Sequence, residues 1–316
     1  MDLAFYDRKK ILITGSNGFI GRHIVSALTN SNAILYLMDI KSLEKGMSNE
    51  KNVNFVCIDL LDKEKLKNVI KEIDPDIIFH LAADILRSQK LEDADRILKV
   101  NVNGTINLLS ALESINFDSF VFTSTSEVYG SDNISPFIET MLPDPVSLYS
   151  FSKLTAENFC KFYAKKFNKP LTILRLFNVY GEGQNSDMFI PQILESCFNG
   201  NSFKMTKGKQ TRDFIYIDDV VSAFFKAATY KEMRAEIFNI GSGKSHSMSH
   251  IAKLIASEFS KSEILEFGAL NYRENEIWKS EANITKSAQV LNWKPKFSLN
   301  SGIKKVVKFY LSNKIE

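Results

Sequence analysis

The sequence predicts an α/β fold, a parallel sheet wound on both faces by helices with a smaller C-terminal α/β lobe. Three observations carry this: apolar runs alternate with helical stretches through the first half, the runs are unbroken rather than alternating, and a glycine-rich turn follows the first of them. The runs are KKILITG, AILYLMD, VNFVCIDL, IIFHLAA, FVFTST and LTILRLFN. A strand covered by helices on both sides has no wet face, so its hydrophobicity does not alternate. Past about residue 180 the pattern loosens to short helices, isolated strands and turn signals such as NGN and KGK. One later run, EIFNIGSG, reads as a buried strand and is expected to return to the main sheet near 236–242. The expected division is 1–178 for the sheet domain and 179–316 mainly for a substrate-binding lobe, packed together because no low-complexity linker separates them.

A chain of 316 residues can bury a sizeable core without staples. Cys57, Cys160 and Cys197 make no even framework and no CxxC pair, which points to reduced thiols in a cytoplasmic protein. The opening MDLAFYDRKK is charged and lacks the apolar core of a signal peptide, and no run approaches the roughly 18 apolar residues of a membrane span. The net charge is only +3, with Lys and Arg scattered among Asp and Glu, which argues against a nucleic-acid partner. Any anion site must be local.

A local anion site is present in outline. After the first strand comes Gly15-Ser16-Asn17-Gly18-Phe19-Ile20-Gly21, then the helical run RHIVSALTN. Glycines let the backbone turn sharply and approach a pyrophosphate whose charge sits at the helix N-terminus, the device of Rossmann-like dinucleotide sites. The spacing is GxxGxxG, and a strand-turn-helix wants glycine for structural reasons too. Asp39, at the end of the second run, adds the acid that binds the adenosine ribose hydroxyls and repels a 2′-phosphate, so NAD is expected over NADP despite the neighbouring Lys41. Asp59 and Leu60 after the third run, and Leu81-Ala82-Ala83 after the fourth, fall at the carboxyl edge of the sheet, where open α/β folds bind ligands.

Tyr149 and Lys153 stand four apart in the helical segment YSFSKLTAENFCKFYAKKF. That spacing puts an ammonium on the same helical face as a phenol. A tyrosine acting as a base near neutral pH must lower its pKa by about three units from about 10, roughly 4 kcal/mol. A lysine cation and a positive nicotinamide ring can supply that. The fifth run ends in Thr123-Ser124-Thr125-Ser126-Glu127, bringing hydroxyls and one carboxylate to the same edge.

Together GSNGFIG, Asp39, HLAA, NVNGT, STSEVYG, YSFSK, LRLFNVYG and TRDFIYIDDV resemble the extended short-chain dehydrogenase/reductase family over essentially the whole chain, and within it the NAD-dependent nucleotide-sugar epimerases and dehydratases. The resemblance implies that Tyr149 is the base, that Lys153 binds the nicotinamide ribose and tunes Tyr149, and that Thr125 hydrogen-bonds the sugar hydroxyl being oxidised. It also implies that Asn101 lies beside the cofactor, that Ser126 and Asn178 contact the sugar nucleotide, and that Arg212 and Arg273 hold its diphosphate. Guanidinium forks suit phosphate oxygens independently of any resemblance, although Asp213 and Glu274 are neighbours with which either arginine could pair instead.

Such chemistry starts with oxidation at sugar C4, after which the 4-keto sugar is epimerised, dehydrated, decarboxylated or released. Glu127 bears on the choice. Dehydratases acting on thymidine-linked glucose carry Thr-Asp-Glu where this chain has Thr125-Ser126-Glu127, while TRDFIYIDDV and YRENEIW read more like the epimerases. The expectation is a 4-epimerase, with a 4,6-dehydratase, decarboxylase or C4 dehydrogenase using Glu127 as alternatives. A non-catalytic NAD-sensing relative would have lost the Tyr/Lys pair, and an NADPH-dependent reductase would want a base in place of Asp39.

Three further features weigh less. His246 and His250 in HSMSH have helical ligand spacing but no third ligand in the sequence around them, so no metal is expected. His80, inside an apolar run, reads as a satisfied core residue. Phe159, Phe162, Tyr163 and Phe167 at helical spacing read as core, and the resemblance implies that this helix also pairs across a homodimer.

Overall fold

The computed structural model describes residues 3–42, 52–86, 90–273 and 276–315. In its first half β1 (Lys10–Thr14), α1 (Phe19–Leu28), β2 (Ile34–Asp39), β3 (Val53–Cys57), α2 (Lys63–Ile73) and β4 (Ile77–His80) are followed by α3 (Ala94–Leu98), α4 (Gly104–Ala111), β5 (Ser119–Thr125), α5 (Leu148–Phe167) and β6 (Leu171–Leu176). The second half holds β7 (Asn178–Tyr180), α6 (Phe189–Asn199), β8 (Phe203–Met205), β9 (Thr211–Tyr216), α7 (Ile217–Ala228), β10 (Ala235–Ile240) and β11 (Ser245–Ser247). It closes with α8 (Met248–Glu258), β12 (Leu265–Phe267), β13 (Lys279–Ser280), α9 (Thr285–Val290) and α10 (Leu299–Ile315).

Seven of these strands form one all-parallel sheet in the order β10-β6-β5-β4-β1-β2-β3. EIFNIGSG does return to it, as β10 beside β6. The chain leaves β1 in one direction for β2 and β3, then starts again at β4 on the other side. That reversal opens a crevice at the carboxyl ends of β1 and β4.

Each strand feeds two cores. Ile11 and Ile13 of β1 join the layer that contains Ile24, Leu28 and Phe224, whereas Leu12 between them joins the layer of Leu66, Ile70, Leu108 and Cys160. Burial on both faces explains the unbroken apolar runs. VNFVCIDL departs from that reading: β3 is one of the two edge strands and is only partly covered, which is how Asn54 is accommodated. Outside the main sheet, β7, β9, β11 and β13 form a second small sheet, and β8 pairs with β12.

The aromatic stripe on α5 divides. Tyr163 and Phe167 pack into the core, but Phe159 and Phe162 are 39% and 60% exposed and share the outer face with Phe151. Helical spacing places residue 159 about 60–100° and residue 162 about 120–160° around the helix from the buried Ala156 and Cys160, so only part of the stripe meets the sheet.

His80 is a core residue. It is buried between two hydroxyls, with Nδ1 at 2.7 Å from Thr14 Oγ1 and Nε2 at 2.9 Å from Thr105 Oγ1. Burial, aided by the Lys153 charge, pushes its pKa down to about 3. The unfolded imidazole titrates near 6.5, so between these values the unfolded chain binds the extra proton and stability falls as pH drops. Urea titrations should show a loss reaching at most about 5 kcal/mol by pH 3 that is absent from His80→Gln. A variant with an unchanged acid slope would remove His80 as its source.

Candidate active site

A cleft of about 1180 Å³ runs along the carboxyl edge of the main sheet and continues to residues of the second, smaller sheet. Its first wall is the turn after β1. Gly15 has φ +69°, and a Cβ there would meet the Ala82 backbone nitrogen at 2.7 Å; a Cβ on Gly18 would lie 3.0 Å from the Gly15 carbonyl oxygen. Gly18 is also the N-cap of α1 and brings no capping side chain, leaving the first-turn N–H groups for an outside acceptor. Asn17 Oδ1 and Thr123 Oγ1, both on residues lining the cleft, are buried without a hydrogen-bond partner. A cradle of bare backbone, uncapped N–H groups and orphaned polar atoms fits a dinucleotide pyrophosphate and its flanking groups.

Asp39 is held by its neighbours beside this turn. Its two carboxylate oxygens accept from Asn17 N at 3.0 Å and Lys41 N at 3.2 Å, and each keeps a lone pair for a ribose hydroxyl. Phe19, Ile20, Gly21, Asp59, Leu60, Leu81, Ala82 and Ala83 line the same stretch.

Further along the edge stand the groups able to move a proton. α5 begins at a capping box in which Ser147 and Ser150 each hydrogen-bond the other's backbone N–H, fixing where its first turn lies. Tyr149 and Lys153 project from the first two turns into the cleft. Lys153 is 2% exposed, with Nζ 4.4 Å from the centre of the Phe122 ring. Burial pulls its ammonium down to about 8, against the raising influence of Cys160 and Glu157. Thr125 ends β5, its Oγ1 accepting from Glu127 N at 3.2 Å, and Ser126 and Glu127 follow on a 3-10 turn. The Ser147 hydroxyl donates to Glu127 Oε2 at 3.5 Å, so the turn and α5 are joined at the cleft.

The far end lies against the small sheet of β7, β9, β11 and β13. Asn178, Arg212 and Arg273 line it, Arg273 at the exposed rim. Arg212 pairs with Glu276 and donates to the Ile277 and Thr211 carbonyl oxygens. Asp213, the neighbour considered from the sequence, takes no part: strand alternation turns it into the core. Glu274 lies outside the described residues.

Asn101 is the one expected site residue that does not line the cleft. It is buried in a π-helical stretch, Lys99–Asn103. Its Oδ1 accepts from Asp84 N at 2.7 Å, while Nδ2 donates to Asp84 O and Ser152 Oγ, both at 2.9 Å. It ties the loop after β4 to α5 beside Lys153. Residues that sequence reasoning missed, among them Phe203, Met205, Gln210 and Glu276, also face the cleft. They lie on short strands and loops that carry no period. His246 and His250 stack at 5.4 Å, and no third metal-binding side chain joins them among the described residues.

Known proteins resemble this chain in sequence and fold. The profile of the NAD dependent epimerase/dehydratase family matches residues 11–241. A putative UDP-glucose 4-epimerase of Methanocaldococcus jannaschii is 36% identical over 96% of this chain and 99% of its own length. The human dTDP-D-glucose 4,6-dehydratase is 31% identical over 96% of this chain and 91% of its own. Among solved structures, the Thermotoga maritima UDP-glucose 4-epimerase with UDP-glucose superposes with a TM-score of 0.89 at 29% identity, covering 97% of this chain and 99% of that one.

Proposed function

Because this chain belongs to the NAD-dependent epimerase/dehydratase family and is an NAD-dependent enzyme, we propose that it oxidises a nucleotide-diphosphate sugar at C4 and restores it with inverted configuration, as a nucleotide-sugar 4-epimerase. The observation that carries this reading is the meeting of Tyr149, Lys153 and Thr125 between a dinucleotide cradle and a lobe that presents Asn178, Arg212 and Arg273. NAD, which the Gly15–Gly21 turn and Asp39 would hold, would supply the acceptor for the C4 hydride and its source on return. Tyr149 accepts the proton of the C4 hydroxyl, and Thr125 holds that oxygen by a hydrogen bond. Lys153, charged and buried, favours the tyrosinate. Arg212 and Arg273 grip the diphosphate, so the sugar can present its other face while the nucleotide stays anchored.

Glu127 supports the second reading, a 4,6-dehydratase or decarboxylase, because its carboxylate lines the cleft next to Ser126 and Ser147. Against it, Ser126 stands where the thymidine-linked dehydratases carry an aspartate, so the acid for a departing C6 hydroxyl is missing. Incubation with UDP-, GDP-, CDP- and dTDP-sugars, read by NMR, separates the outcomes. A redox-neutral change at C4 is expected. Loss of water or carbon dioxide would replace the epimerase with the second reading, and stoichiometric NADH would mean a dehydrogenase.

The outer face of α5, with Phe151, Phe159 and Phe162 exposed, fits a homodimer contact. Sedimentation at the monomer mass would remove that assignment. The free thiols Cys57, Cys160 and Cys197 fit a cytoplasmic setting, and no helix among the described residues is long and apolar enough to cross a membrane.

A further inference from the structure

We infer that Glu157 and Arg175 are a positioning pair for proton transfer, an ion pair buried under α5 that fixes Tyr149 and Lys153 against Thr125 and faces the Lys153 ammonium with a standing negative charge. The inference rests on the roles given above to Tyr149 and Lys153.

Arg175 is the anomaly in LTILRLFN: a charged residue in a strand whose other members are apolar or Thr, and 1% exposed. Its partner Glu157 is fully buried. Glu157 Oε1 accepts from Arg175 Nε at 3.0 Å and from Ser124 Oγ at 2.5 Å, while Oε2 accepts from Arg175 Nη2 at 2.7 Å. Lys161, at 4.0 Å from Oε2, reaches in from the surface. Buried pairs of this kind add little net stability over apolar residues of the same volume, so stability alone does not account for this one.

The location does. Ser124 immediately precedes Thr125, and Arg175 stands opposite Ser124 in the β5–β6 register. The Arg175 guanidinium lies 4.8 Å over the ring of Tyr129, in the turn that carries Ser126 and Glu127, and Tyr129 OH donates to Asn239 on β10 at 2.7 Å. Through one carboxylate, α5 is bolted to β5, β6 and that turn. Tyr149, Lys153 and Glu157 recur every four residues on one helical face, so fixing Glu157 fixes the rotation and height of the other two.

The groups facing Lys153 leave Glu157 as its counter-charge. His80 on β4 is neutral, the Phe122 ring on β5 offers only its face, and burial keeps the Cys160 thiol protonated. Of the ion pair, Glu157 is the member on Lys153's own helix, four residues further along the same face. A negative charge on the lysine side favours the protonated Lys153 ammonium, and a cation there favours Tyr149 as the base.

Two variants test this. Glu157→Gln removes the charge but strands Arg175; the double variant Glu157→Leu with Arg175→Met replaces both by apolar groups and is expected to keep the melting temperature. The first readout is ionisation of Tyr149, taken as the 295 nm absorbance difference between each protein and its Tyr149→Phe counterpart. The second is the pH profile of turnover on whichever UDP-, GDP-, CDP- or dTDP-sugar the panel identifies. In the double variant the Tyr149 midpoint should rise by about one pH unit, and turnover at pH 7 should fall about tenfold, with KM little changed. An unshifted midpoint and profile in a folded double variant overturn the inference, as does failure of both variants to fold, which would make the pair a structural staple. Full turnover in Tyr149→Phe would instead overturn the parent assignment.

Discussion

Tyr149→Phe should lower turnover by about 10³-fold while leaving the melting temperature and NAD affinity near those of the parent chain. The substitution deletes one oxygen. Tyr149 sits in the first turn of α5, and what holds that turn is the Ser147/Ser150 capping box, which the change does not touch. The phenyl ring remains to fill the same space. In the proposed reaction the oxygen lost is the acceptor for the C4 hydroxyl proton, and neither neighbour can replace it. Lys153 is positively charged through most of the neutral range, its pKa near 8, and a cation accepts no proton. Thr125 Oγ1 accepts from Glu127 N and keeps its O–H to donate, but an alcohol is too weak a base to take the proton. Initial rates by NMR and NAD titration by calorimetry check both halves. Loss of NAD binding in step with rate would show that the residue serves the cofactor rather than the proton, and an unchanged rate would remove Tyr149 from the chemistry.

The first half of the site was legible because parallel-sheet physics leaves strong marks. Unbroken apolar runs announce strands covered on both faces, and each such strand must end at the edge where Gly15, Asp39, Leu81 and Thr125 are found. YxxxK is readable because helical geometry fixes what four residues apart means. Asn101 shows the limit. NVNGT implies a cofactor contact, yet both amide N–H groups go to Asp84 and Ser152 and the oxygen accepts from Asp84, and nothing local in the sequence tells where a buried amide points. The outer half of the α5 stripe failed for a related reason: aromatic spacing identifies a face, not which side of the helix meets the sheet. Arg212 and Glu276 pair across 64 residues, and Glu157 and Arg175 across 18, so neither pair is marked by adjacency.

Asp213→Ala should be the most damaging single change in the second lobe, costing about 3–5 kcal/mol in a urea titration. The Asp213 carboxylate is fully buried. It accepts from Ser242 N at 2.7 Å, Ser242 Oγ at 2.6 Å, Gly243 N at 2.9 Å and Ala282 N at 3.1 Å, joining β9 to the turn after β10 and to the segment after β13. Alanine leaves those donors facing a dry cavity, and asparagine turns its own N–H₂ toward them. Burial holds the Asp213 pKa above its ordinary 3.8, with the four hydrogen bonds opposing. The folded chain therefore keeps this proton to higher pH than the unfolded chain, and stability from this group falls as pH rises through the window just above 3.8. Asp213→Asn should lose that slope as well as stability. Because Asp213 anchors the strand on which Arg212 stands, partial loosening should raise KM for the nucleotide sugar more than it lowers kcat. A variant that keeps the parent urea midpoint would mean that water fills the cavity and satisfies the donors, and the carboxylate would then lose its place as the lobe's fastening.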